Sequence, residues 1–94
     1  MPRTQEIVTL NTETWTEMTS GDALAGIKFE ALDGPMEVRR GDATVPDPAL
    51  IGWRYGTGKG DRLASLDELS RASGNRLYGR SLIGNAINAL VDHA

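Results

Sequence analysis

The chain has no cysteine and a single histidine, His93, near its end. No disulfide can brace it, and a structural zinc site of the usual Cys/His kind is excluded. Aromatics are scarce: Trp15, Phe29, Trp53, Tyr55 and Tyr78 are all there are. No apolar run approaches the roughly 18 residues of a membrane helix. The opening MPRTQEIVTL lacks the apolar stretch of a signal peptide, so a protein made and kept in a cytoplasm is expected.

With 94 residues the chain is expected to be one domain, residues 1–94. A core this small and this poor in rings is marginal alone, which points to support from neighbours by oligomerisation or docking. Eleven glycines and four prolines suit many turns between short strands. The net charge of −3 is uneven. Met1 to Glu37 holds seven acids against two bases, and Val38 onward holds eight bases against six acids. The chain as a whole is acidic, so nucleic acid is not an expected partner.

The central stretch is Ile27 to Arg40, IKFEALDGPMEVRR. Asp33-Gly34 between two alternating runs reads as a β-hairpin. Ile27, Phe29 and Ala31 share one face, and Met36 and Val38 meet the same core. Pro35 suits the first position of an edge strand, because it lacks a ladder donor.

Elsewhere, Glu6 to Leu10 reads as a strand. The alternating TWTEMT puts Trp15 and Glu17 on one face, with Trp15 as an anchor. LIGWRY, residues 50–55, reads as a strand, and RLYGRSLI, residues 76–83, as another. Leu63 to Ala72 reads as about two turns of helix, or an equally short structured loop, with Ser65 and Glu68 as a capping-box pattern, Leu66 and Leu69 packing inward and Leu63 before the cap. Residues 86–93 read as a closing strand, with a helix as the alternative.

Arg40-Gly41-Asp42 is an ordinary turn tripeptide, since Gly and Asp are turn formers anyway. Gly56 to Gly60, GTGKG, fails the Walker pattern. Trp53 stands where the first glycine belongs, and Gly60 where the hydroxyl belongs. A Ser-His-Asp hydrolase would have to use His93 at a chain end, a poor platform. No acid cluster has metal spacing. The reading is therefore non-enzymatic, with no catalytic, cofactor or metal residues assigned.

Trp53, Arg54, Tyr55, Arg76, Tyr78 and Arg80 form an aromatic-basic set on two strands. Trp, Tyr and Arg are the residues that anchor protein interfaces. Trp53 and Tyr55 are expected on a core-filling face. Arg54, Arg76 and Arg80 are expected at the rim of an acidic partner, most simply Glu13, Glu17 and Glu30 of a neighbouring copy.

The layout resembles the short β-rich virion proteins of tailed bacteriophages and gene-transfer particles. The residues that carry the likeness are IVTLNTETWTEMT, AGIKFEALDGPMEVRRG, IGWRYGTGKGDRL and the close RLYGRSLIGNAINALVDHA. The resemblance implies a mainly β domain, a small antiparallel sandwich or barrel-like fold of six to eight strands with at most one short helix. It implies a structural component of the virion, on the head exterior as a decoration protein or a head spike or fibre base. Its partners would be copies of itself and the major capsid protein, with neither nucleic acid nor membrane. A tail-tip or receptor-binding module and a small carbohydrate-binding domain are the alternatives.

Overall fold

A computed structural model describes residues 3–93. The first two residues of the polar lead and the last residue of the close lie outside the described residues. Eight strands follow in order: β1 (Glu6–Leu10), β2 (Thr16–Glu17), β3 (Ile27–Ala31), β4 (Met36–Gly41), β5 (Trp53–Tyr55), β6 (Gly60–Leu63), β7 (Arg76–Ser81) and β8 (Ile87–His93). They form two four-stranded sheets, ordered β1-β8-β3-β6 and β2-β7-β4-β5, and every pairing is antiparallel. The fold is mainly β and sandwich-like, as expected.

The alternation of apolar residues explains the core. Val8 and Leu10, Ile27, Phe29 and Ala31, and Ile87, Ala89 and Val91 point inward from the first sheet. Met36, Val38 and Leu77 meet them from the second. Phe29 is 2% exposed, and its burial alone contributes roughly 1.5–3 kcal/mol. Residues 87–93 alternate in burial as a strand does, not as a helix.

The Asp33-Gly34 turn is not a hairpin. β3 pairs with β6 and β8, while β4 pairs with β5 and β7. The turn instead carries the chain from one sheet to the other. Asp33 is held by β8: its carboxylate accepts from the Asn88 backbone N–H at 2.7 Å and from Asn88 Nδ2 at 2.9 Å. These bonds, the backbone one foremost, keep its carboxyl below the ordinary value. Gly34 is buried against Ile87, where an added Cβ would lie 2.4 Å from Cγ2. Pro35 does not mark an edge either, because β4 is an interior strand. It precedes the ladder, and its carbonyl accepts from the Leu82 N–H at 3.1 Å.

The strand expected over residues 50–55 narrows to β5, and TWTEMT to the two residues of β2. β6 has no counterpart in the sequence reading, because only Leu63 of its four residues is buried and no apolar alternation marks it. The capping box forms. Ser65 Oγ accepts from the Asp67 N–H at 3.2 Å, and the Glu68 carboxylate accepts from the Ser65 N–H at 3.2 Å. It opens only a three-residue 3-10 helix, Leu66–Glu68, in place of the two turns expected over 63–72, because Leu63 is taken by β6. The helix drops Leu66 into the core and sets Leu69 against it.

The sheets stack in matching order. β1 runs beside β7, with the Ser81 N–H donating to the Asn11 carbonyl at 2.8 Å. At the other end the Tyr55 ring meets Phe29 edge-on, centroids 5.2 Å apart. One side of the molecule is therefore closed by β1, the crossover at residues 11–15 and β2. The opposite side is closed by β5, the turn at residues 56–59 and β6.

Candidate functional site

β5 is the outer strand of its sheet, paired to β4 alone. Its register sets Tyr55 opposite Met36, Arg54 opposite Glu37 and Trp53 opposite Val38. Trp53 and Tyr55 thus share the core-side face of the sheet, as their spacing requires. Only Tyr55 is covered there. Trp53 is 61% exposed and does not fill the core, contrary to expectation. It lies at the far end of β5 from the turn, where the chain opposite has left the sheet for residues 64–75. Ile51 is 70% exposed and Leu50 is 40% exposed, so a run of large apolar groups lines this edge.

Two hollows flank the indole. One, of about 340 Å³, lies between Trp53, Ile51, Val38 and Arg39. The other, of about 350 Å³, lies between Trp53, Arg54, Tyr55, Asp61 and Glu68. The Tyr55 hydroxyl donates to Asp61 Oδ2 at 3.2 Å. Burial first, and then the Asp61 charge, push the Tyr55 phenol up to about 12.

Behind the edge stands a brace built on Arg80. Its Nη2 donates to Glu37 Oε1 at 2.6 Å and to the Leu50 carbonyl at 2.9 Å. Its Nη1 donates to the Pro48 carbonyl at 2.7 Å. The guanidinium lies 4.3 Å from the centre of the Trp15 ring, whose Nε1 donates to the Asp47 carbonyl at 3.1 Å. Arg80 therefore pins residues 47–50 and delivers the chain to β5. Glu37 and Trp15 complete the brace. The facing of Glu37 and Arg80 from neighbouring strands is invisible until β4 and β7 are known to pair.

The anticipated interface residues fall into two groups. Arg76 is engaged within the chain, with Glu17 at 3.4 Å and Asp22 at 3.2 Å. The same Glu17 carboxylate accepts from the Gly21 N–H at 2.8 Å. Arg80 is engaged as described. Arg54, Glu13 and Glu30 are exposed and make no side-chain hydrogen bond or ion pair among the described residues. Arg54 stands on the β5 edge, Glu13 in the opposite crossover and Glu30 on β3.

The other motifs are also placed. Arg40 belongs to the end of β4, not to a loop tip. Its guanidinium pairs with Asp67 and donates to the Gly74 carbonyl at 2.7 Å and the Ser70 carbonyl at 2.9 Å. In the glycine loop, the Gly58 N–H donates to the Ala31 carbonyl and the Lys59 N–H to Gly56, so both are spent on the turn. His93 is held as the last residue of β8, contrary to the weak chain end expected. Its Nε2 accepts from the Ser20 N–H at 2.9 Å. Among the described residues no group of three or more His, Asp or Glu side chains could hold a metal ion. No helix among them is long and apolar enough to cross a membrane.

No protein-family model, curated protein or solved structure matches the chain.

Proposed function

We propose that the protein is a non-enzymatic structural component of a phage or phage-like particle. In this reading it sits on the head exterior, as a decoration protein or the base of a head spike, and docks on its neighbours through the β5 edge. Those neighbours are its own copies and the major capsid protein. The observation that carries the docking role is the exposed run of Leu50 and Ile51, just before the outer strand β5, and Trp53 at its start. Outer strands are normally blunted by charge, proline or cover, and contiguous exposed apolar groups mark interaction sites. Tryptophan beside arginine is the composition of an interface anchor. The particle setting is supported by the resemblance in layout.

Electron microscopy of intact particles tests this reading. The expected result is the eight-stranded domain in repeated copies on the outer head surface. Density at the tail alone would overturn the head assignment in favour of a tail-tip role, and absence from purified particles would overturn the virion role altogether.

A further inference from the structure

The matched stacking of the two sheets leaves two opposite sides with unlike character. The β5–β6 side exposes Arg54, Lys59 and Arg62 beside Ile51 and Trp53. Its acids, Asp61 and Glu68, accept from the Tyr55 hydroxyl and from the backbone N–H groups of Arg62, Ala64 and Ser65. Three bases thus stand against two acids, and the side stays net positive. The β1–β2 side exposes Glu6 and Glu13 beside Ile7, which is 64% exposed on β1. We propose that these sides are complementary, and that copies of the chain join head to tail, the β5–β6 side of one against the β1–β2 side of the next. This rests on the structural-subunit reading above and names the occupant of the β5 edge as a second copy.

Charge decides the occupant and the geometry together. Arg54 and Glu13 each lack a side-chain partner among the described residues, and each side holds what the other needs. A two-fold contact would set either side against itself, basic on basic or acidic on acidic, and like charges across an interface are strongly disfavoured. A head-to-tail contact brings unlike charges together, and repetition of it closes a ring or grows a filament. A standard interface takes about 800 Å² from each partner, a modest share of the 5314 Å² this chain exposes.

The test is the mass of the full chain in solution, by light scattering and sedimentation from micromolar to millimolar concentration. The parent is expected to form species larger than a dimer. Arg54→Glu alone and Glu13→Arg alone should each weaken assembly about tenfold or more, with unchanged circular dichroism because both side chains are exposed. The double variant Arg54→Glu/Glu13→Arg should recover the parent's mass, since the exchanged pair at positions 54 and 13 is again opposite in sign. A parent that stays monomeric, a parent that stops at a dimer, or a double variant no larger than the single ones overturns the proposal. Particle location is a separate measurement. Assembly without a place on the particle would sink the virion reading alone, and a place on the particle without self-assembly would sink the head-to-tail contact alone.

Discussion

Arg80 and Glu37 stand opposite each other on β7 and β4 and pair at 2.6 Å, with side chains only 13% and 4% exposed. The pair is thus shielded from water, and the guanidinium also serves two loop carbonyls. Removing one member of such a pair leaves the other charge buried without compensation, typically at a cost of about 3–5 kcal/mol. Arg80→Met is expected to destabilise the fold by about that amount in urea denaturation. Glu37→Gln/Arg80→Met should cost less than the two single variants together, because neither charge is then stranded. The sequence places Arg80 at an exposed rim, where a change would spare the fold. A stability loss under about 1 kcal/mol would restore that view.

Gly34 lets the chain pass from sheet to sheet. A methyl group there would sit 2.4 Å from Ile87 Cγ2 and 3.3 Å from Ile83 Cδ1, and Ile87 is 1% exposed. Gly34→Ala should therefore cost about 1–3 kcal/mol through overpacking. Ile87→Ala removes the obstructing methyl and makes a cavity of its own. Thermal unfolding of both single variants and the double should show strong non-additivity, with Gly34→Ala nearly harmless in the Ile87→Ala background. Simple additivity would mean that the crossing has room to shift.

Trp53 is mostly in water, so its loss should barely touch the fold. Trp53→Ala is expected to change stability by no more than about 0.5 kcal/mol, as for other exposed positions. The cost of about 3–5 kcal/mol that a buried indole would carry does not apply. Assembly should suffer instead, because the exposed ring is the largest apolar group on the β5 edge. Equilibrium unfolding of the variant alongside its solution mass separates the two effects. A large stability loss with normal assembly would contradict this placement.

These cases show what local pattern can and cannot specify. The inward faces of Ile27, Phe29 and Ala31, and of Met36 and Val38, follow from period-two alternation and hold in the structure. The Ser65–Glu68 box also holds, because it is settled within four residues. Asp33-Gly34 announces a reversal of the chain but not which strands pair across it. That choice belongs to distant partners: Phe29 lies opposite Val91 and Asp61, and Val38 opposite Gly79 and Trp53. The shared face of Trp53 and Tyr55 was legible. The difference in their cover was not, since it depends on where the opposite sheet ends. Arg80 and Arg54 look alike as surface arginines in sequence. One is folded under residues 47–50 and the other is left on the edge.

Tyr55 offers a check by pH. Its phenol is raised from an ordinary value near 10 to about 12, chiefly by burial and then by Asp61. Tyr55 is neutral when protonated, so the fold favours the protonated form that packs on Phe29 and donates to Asp61. Its contribution is fully present below the unfolded value near 10, and is lost as pH rises through the folded value near 12. Between those limits the unfolded chain releases this proton first, and stability should decline with rising pH. Tyr55→Phe keeps the ring contact but has no proton to release, so its stability should decline less across that window. Chemical denaturation at a series of alkaline pH values, with phenolate absorbance followed in both proteins, measures the difference. Equal alkaline slopes for parent and variant, or ionisation of the Tyr55 phenol at the ordinary value, would show that the Phe29 and Asp61 contacts do not hold this hydroxyl in solution.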